Sequence, residues 1–260
     1  MIDKHKESFG KLLEIMDRLR AECPWDKVQT LESLRTLTIE ETYELADAIV
    51  DQDLHEIKKE LGDLLLHIVF YAKIGSETGA FDISSVIENL NKKLIYRHPH
   101  IFGNEKAETE REVLDNWEQL KLKEKGGNKS VLEGVPKGLP ALIKAYRIQD
   151  KVRGVGFDWD EREQVWEKVA EEMEELKVEL KADPSSPEAE LEFGDLFFSL
   201  INAARLYGIN PENALERTNL KFIKRFNFLE DKTLKQGIDL KSMPLPEMEK
   251  IWQEAKKSDD

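Results

Sequence analysis

The sequence predicts an all-α fold, built as a tandem duplication of one helical-bundle unit. Three observations predict it. Apolar residues recur at spacings of three and four through most of the chain, the mark of amphipathic helices. No run alternates apolar and polar residues as a half-buried strand does. Four groups of residues recur, in the same order and at a nearly constant distance.

The elements follow in order. Residues 6–21 carry Phe9, Leu12, Leu13, Met16 and Leu19 on one helical face, and Pro24 ends the helix. Helices are predicted over 31–51 and 54–76, over 83–97 with a stop at Pro99, and over 109–124. Residues 125–139 (KGGNKSVLEGVPKGL) are rich in Gly and Pro and lack periodicity, so they read as a linker between units 1–124 and 140–260. Helices resume over 140–154, 161–182, 187–207, 211–230 and 244–257, with a turn at ADPSSP (182–187).

The repeat is specific. Glu40-Glu41-x-x-Glu44 returns 131 residues later as Glu171-Glu172-x-x-Glu175. Glu60-Leu61-Gly62-Asp63 returns after 132 as Glu192-Phe193-Gly194-Asp195. Asn91-x-Lys93-Leu94-Ile95-x-Arg97 returns after 128 as Asn219-x-Lys221-Phe222-Ile223-x-Arg225, and Trp117 after 135 as Trp252.

Composition narrows the function. A net charge of −14 repels a phosphate backbone and argues against nucleic-acid binding. A small anion accompanied by a divalent cation is still admissible. A lone cysteine, Cys23, rules out an intrachain disulfide framework and fits a reducing compartment. The polar start is unlike a signal peptide. The longest apolar run, Leu64 to Ala72, is interrupted by His67 and falls short of a membrane span. A cytoplasmic protein with no membrane contact is expected.

The acidic residues carry the chemistry. Positions three and four apart share a helical face, so Glu41 pairs with Glu44, Glu60 with Asp63, Glu172 with Glu175, and Glu192 with Asp195. Two such helices side by side would converge four carboxylates, which require cations or protons. An acidic cluster is commonly a solvated face, but here the neighbours are apolar. In the helix around 191–206, Glu192, Asp195, Ser199 and Asn202 form one narrow polar stripe among Leu191, Phe193, Leu196, Phe197, Phe198, Leu200 and Ile201. That pattern predicts a buried helix with the stripe facing an internal cleft. Buried carboxylates need compensation, and Mg²⁺, which prefers oxygen ligands, supplies it; Mn²⁺ is the alternative ion. Gly62 and Gly194, costly inside helices, suggest close helix approach at the site. Lys221 and Arg225, one turn apart, are candidates to grip phosphate oxygens. Lys168, one turn before Glu172, is within reach of the same cleft, and Trp252 offers a face for a base.

These passages resemble the MazG family of nucleoside triphosphate pyrophosphohydrolases, within the all-α NTP pyrophosphatase superfamily. The most specific are Cys23-Pro24-Trp25-Asp26, Glu40-Glu41-Thr42-Tyr43-Glu44, Glu60 to Leu65, Arg97 to Phe102, Gly154 to Trp159, and Glu192 to Leu196. The resemblance spans essentially the whole chain. It implies hydrolysis of an NTP to NMP and pyrophosphate. It implies Mg²⁺ held by Glu172, Glu175, Glu192 and Asp195, with Glu171, Glu172 and Glu175 as the catalytic carboxylates. Triphosphate and base contacts from Lys168, Glu171, Lys221, Phe222, Lys224, Arg225 and Trp252 are implied as well, as is a homodimer whose main catalytic unit is the C-terminal one. The first unit keeps Glu41, Glu44, Glu60 and Asp63 as metal ligands, with Lys93, Arg97 and Trp117, but has Leu37 where the second has Lys168.

The mechanism so implied is attack of water on the α-phosphorus, with Glu171 or Glu175 orienting or deprotonating the water. Competing classes fare less well. No G-x-x-x-x-G-K-[ST] is present for a P-loop NTPase, and no Glu-x-x-His pair for a di-iron bundle. A non-enzymatic helical interaction module leaves the duplicated acidic stripe unexplained. A narrow-specificity relative of the dUTPase kind remains the nearest enzymatic alternative.

Overall fold

The helix starts are written in local hydrogen bonds. Thr30, Asp53 and Asp82 each precede a helix and accept a backbone N–H of its first turn, from Ser33 at 3.1 Å, His55 at 2.9 Å and Ser85 at 2.8 Å. In the second half Ser186 and Asn210 accept from Ala189 and Asn213, each at 3.0 Å. Pro187 and Pro211 follow them at the first helical position, where the missing N–H has no intrahelical partner to lose. The structure is a computed structural model and describes residues 2–109, 112, 113, 116, 117, 120, 121, 130–235 and 237–257.

The helices are α1 (Ile2–Glu22), α2 (Leu31–Val50), α3 (Leu54–Glu77), α4 (Ile83–Arg97) and the short α5 (Pro99–Phe102). After them come α6 (Ala141–Arg153), α7 (Val165–Ala182), α8 (Pro187–Leu206), α9 (Pro211–Leu234) and α10 (Leu245–Lys257). Among the described residues there is no strand, and no helix is long and apolar enough to cross a membrane. The helix expected over 83–97 ends at Arg97 as read, and Pro99 then opens the short α5, at the position where proline suits a helix best. Most of the helix expected over 109–124, and residues 125–129 of the expected linker, lie outside the described residues. Residues 130–139 run as turns and bends.

The contacts divide the chain into two units, Met1–Val113 and Leu114–Asp260. In the first, α2 and α3 pack along each other, and α1 and α4 pack on α3. Met16, Leu34, Val69 and Phe70 form its fully buried centre, with Phe9, Leu12, Leu37 and Leu66 against it. Arg20 ties the segment after α1 into this unit. Its guanidinium pairs with Glu77 at 2.8 Å and donates to the carbonyls of Gln29, at 3.0 Å, and Asp26.

In the second unit α7 and α8 form the equivalent close pair. There α6 lies on α8, and α9 packs against α10 and α6. Val165, Leu176, Ala189, Leu196 and Ile201 are buried between these helices. The expectation that α8 is buried nearly all round is not met within one chain. Leu191 is 67% exposed and Phe197 59%, with Phe193, Phe198 and Leu200 also exposed. The apolar residues outnumber what α6 and α7 can cover, so only one side of the helix finds a partner. The close helix approach expected at Gly62 and Gly194 is likewise absent: a Cβ at either would meet nothing within 4 Å.

Candidate active site

In the second unit α7 contributes Glu172 and α8 contributes Glu192 and Asp195. One carboxylate oxygen from each lies within 4.8 Å of the others. The first unit repeats the arrangement with Glu41 from α2 and Glu60 and Asp63 from α3. These are corresponding positions of the sequence repeat. The helical i, i+3 spacing puts Glu192 and Asp195, or Glu60 and Asp63, on one face, and the close pairing of the two helices supplies the third carboxylate. Glu175 and Glu44, expected as fourth members, are exposed and stand outside the two triplets.

The electrostatics are those of a crowded anionic pocket. Burial pushes the Glu192 carboxyl above the usual carboxylate range, and the charges of Glu175, Asp195, Glu172 and Glu179 push it further. Glu41 is raised in the same way, first by burial and then by Asp63, Glu44 and Glu60. Glu192 Oε2 and Glu60 Oε2 are buried with no hydrogen-bond partner among the described residues, an unfavourable state for a polar atom.

Among the described residues a lysine pairs with each triplet, and the two lysines come from non-equivalent helices of the repeat. Lys168 of α7 pairs with the buried Glu172 at 2.7 Å and with Glu171 at 3.0 Å. These hydrogen bonds, to Glu172 and then Glu171, hold its ammonium above the ordinary lysine value. In the first unit Lys59 of α3 pairs at 2.7 Å with Glu60, which is only 3% exposed. It is raised chiefly by that hydrogen bond. Sequence reasoning missed Lys59 because repeat alignment sets it opposite Leu191. It saw only that Leu37 replaces Lys168, and Leu37 belongs to the packed core. The signal available was adjacency: Lys59 immediately precedes Glu60.

His67 stands outside the first triplet. Its Nδ1 is 2.7 Å from Thr38 Oγ1, which lies 2.6 Å from the Tyr71 hydroxyl, and burial holds its pKa below the usual histidine value.

A cavity of about 660 Å³ opens beside the second triplet. Lys168, Glu172 and Asp195 line it, and so do Ser199 and Asn202 of the predicted polar stripe. Gln149 and Val152 of α6 and Phe157 and Trp159 of the loop before α7 supply other walls. Three of the four residues of the polar stripe of α8, Asp195, Ser199 and Asn202, thus face a cleft. The expected substrate contacts on α9 and α10 do not line this cavity. Lys221, Phe222 and Lys224 are exposed. Phe222 packs on Trp252 with ring centroids 4.9 Å apart, and the Arg225 guanidinium sits 6.0 Å from the Trp252 ring. In the first unit Lys93 is exposed and Arg97 half-buried on α4. Trp117 is half-buried, with Lys121 Nζ 5.6 Å from its ring centroid.

Comparison with known proteins agrees with this geometry. The MazG nucleotide pyrophosphohydrolase domain matches residues 29–102, which hold the first triplet. The chain is 45% identical over 255 residues to the nucleoside triphosphate pyrophosphohydrolase/pyrophosphatase MazG of Thermotoga maritima, covering 97% of each protein. It is 41% identical over 257 residues to the nucleoside triphosphate pyrophosphohydrolase of Escherichia coli K12, covering 96% of this chain and 98% of that one. A nucleoside triphosphate pyrophosphohydrolase of Mycobacterium tuberculosis is 38% identical over 153 residues, or 58% of this chain and 46% of its own.

Proposed function

The chain belongs to the MazG family of nucleoside triphosphate pyrophosphohydrolases, and on that premise we propose that its second unit cleaves NTPs to NMP and pyrophosphate by Mg²⁺-assisted attack of water at the α-phosphorus. The observation that carries the reading is the triplet of Glu172, Glu192 and Asp195, whose buried Glu192 Oε2 has no hydrogen-bond partner among the described residues.

The donor set fits the ion. All three ligands offer carboxylate oxygen, the preference of a hard divalent cation. Three carboxylates share one lysine, which Glu171 also engages, so negative charge is left over for a divalent cation to neutralise. Glu172, Glu192 and Asp195 would hold it, with Glu175 adjacent as a further ligand, and Mn²⁺ suits the same donors. Bound there, the ion neutralises the carboxylates and the substrate phosphates and withdraws charge from the phosphoryl group.

The chain's own groups do the remainder. Lys168 is positioned between Glu171 and Glu172, so its ammonium can shift onto the departing pyrophosphate, where negative charge grows during the reaction. Glu171 or Glu175, both exposed at the edge of the triplet, orients the attacking water and takes its proton. Lys221, Lys224 and Arg225 on α9 provide further positive charge for the triphosphate. The first-unit triplet of Glu41, Glu60 and Asp63, with Glu44 beside it, is a second cation site by the same argument, and Lys93 and Arg97 are its counterparts for phosphate.

The reading includes a cytoplasmic homodimer. The exposed apolar residues of α8, Leu191, Phe193, Phe197 and Leu200, form the kind of surface that a second copy covers. The test of the function is chromatography of the products from a panel of NTPs with Mg²⁺. NMP plus pyrophosphate is expected, with loss of turnover in Asp195→Asn and Glu172→Gln. NDP plus phosphate, or full activity in those variants, defeats the proposal.

A further inference from the structure

We propose that Arg205 is a positioning residue: its clamp on Asp158 holds the start of α7 against the end of α8, and so keeps Glu172 in register with Glu192 and Asp195. This rests on the cation site proposed above and adds what holds that site in shape.

The triplet draws on two helices, so its geometry depends on their register. α7 and α8 are joined by the short turn 183–186, where the Ser186 N–H donates to the Asp183 carbonyl at 3.1 Å. Two closely packed helices so joined form an antiparallel hairpin. The turn fixes one end, and Glu172, Glu192 and Asp195 lie part-way along. A turn alone leaves the far end free to splay, and a slip of about 1 Å is enough to spoil a reacting site.

The far end has its own closure. Arg205 stands in the last turn of α8, with its side chain 6% exposed. Its guanidinium grips both carboxylate oxygens of Asp158, one of them at 3.0 Å. Asp158 belongs to the loop that leads into α7. Such a two-point ion pair fixes direction as well as distance. The same guanidinium donates to Asn202 Oδ1, from Nε at 3.0 Å and from a terminal nitrogen at 2.8 Å, so it is held to its own helix. Tyr207, which follows α8, adds to the closure. Its hydroxyl accepts from Trp166 Nε1 at 3.1 Å, and the Arg162 guanidinium lies 4.9 Å from its ring centroid. Trp166 is in the first turn of α7, two residues before Lys168. Asp158, Asn202 and Arg205 line the same cavity as Lys168, Glu172 and Asp195.

The clamp belongs to the second unit. By the offset that relates Asp63 to Asp195, Arg205 corresponds to Lys73, whose ammonium pairs instead with Asp17 of α1 at 2.6 Å. The first unit packs its helix pair without this clamp, which points to a task beyond holding the fold.

The test is calorimetric titration with Mg²⁺, without nucleotide, in a Glu60→Gln, Asp63→Asn background that silences the first triplet. Arg205→Gln, Asp158→Asn and their double variant are compared with Leu229→Ala, which opens a cavity in the buried core at α9. All are titrated at a temperature where circular dichroism shows them folded. Each clamp variant is expected to raise the Mg²⁺ Kd roughly tenfold, the scale found when groups that orient metal ligands are removed. The double variant should lose no more than either single one, because both remove one interaction. The Mg²⁺ concentration for half-maximal NTP hydrolysis should shift by the same factor. Asp158 lies in a loop and is only partly buried, so Asp158→Asn keeps the test decisive where Arg205→Gln fails to fold. An unchanged Kd in Asp158→Asn overturns the proposal, as do additive losses in the double variant. Equal weakening in Leu229→Ala makes the clamp merely structural and overturns it too. A background protein that binds no Mg²⁺ overturns the cation site itself, and this proposal with it.

Discussion

Saturating Mg²⁺ is expected to raise the thermal midpoint of the protein, and removing the two carboxylate triplets is expected to erase the rise. Each triplet carries more negative charge than its single lysine offsets, so the folded state carries local repulsion that the unfolded chain relieves. A cation that binds only the folded form stabilises it by mass action, about 2.7 kcal/mol at a hundred times its Kd. For a unit the size of Leu114–Asp260, this amounts to roughly 5–10 °C. The assay is helical circular dichroism against temperature, in EDTA and in Mg²⁺. The quadruple variant Glu172→Gln, Asp195→Asn, Glu60→Gln, Asp63→Asn should melt at the same temperature in both buffers. In EDTA it should melt no lower than wild type, because like charges have been removed. A wild type that ignores Mg²⁺, or a variant that responds as wild type does, refutes the reasoning.

Two further outcomes follow from single side chains. Arg20→Ala removes a partly buried guanidinium that serves Glu77 and two backbone carbonyls, and should destabilise the first unit by about 2–3 kcal/mol in denaturant unfolding. The Arg20 hydrogen bond holds Glu77 below its ordinary value of 4.5. Its stabilisation is therefore present above that pH and fades as pH falls through the depressed value, and in Arg20→Ala this acid-side loss should flatten. Lys168→Met should lower kcat for NTP hydrolysis by about a hundredfold, the order found when one transition-state donor is removed, with helical content unchanged. A kcat within a few-fold of wild type excludes Lys168 from the chemistry.

Much of the fold is legible because it is locally encoded. Period 3.6 runs bounded by Thr30, Asp53, Asp82, Ser186-Pro187 and Asn210-Pro211 place α2, α3, α4, α8 and α9 within a residue or so at their starts. The exceptions are also local: the short α5 that opens at Pro99 goes unread, and α9 runs four residues past the last one periodicity had reached. The site is legible only in part. The repeat and the i, i+3 rule identify Glu60 with Asp63 and Glu192 with Asp195. They also pair Glu172 with Glu175, although only Glu172 joins the triplet. Which carboxylate completes a triplet depends on how α2 meets α3 and α7 meets α8, a tertiary fact. Lys59 and Arg205 escaped for the same reason, since Arg205 reaches Asp158 across 47 positions of sequence. The burial expected of α8 came from counting apolar residues, and counting does not say whether the cover comes from the same chain.

The measurement that tests the central claim most directly is hydrolysis of an NTP in ¹⁸O-labelled water with Mg²⁺, followed by mass spectrometry of both products. Attack at the α-phosphorus puts the label in the nucleoside monophosphate and leaves pyrophosphate unlabelled. Label in the pyrophosphate, or in free phosphate, would contradict the account.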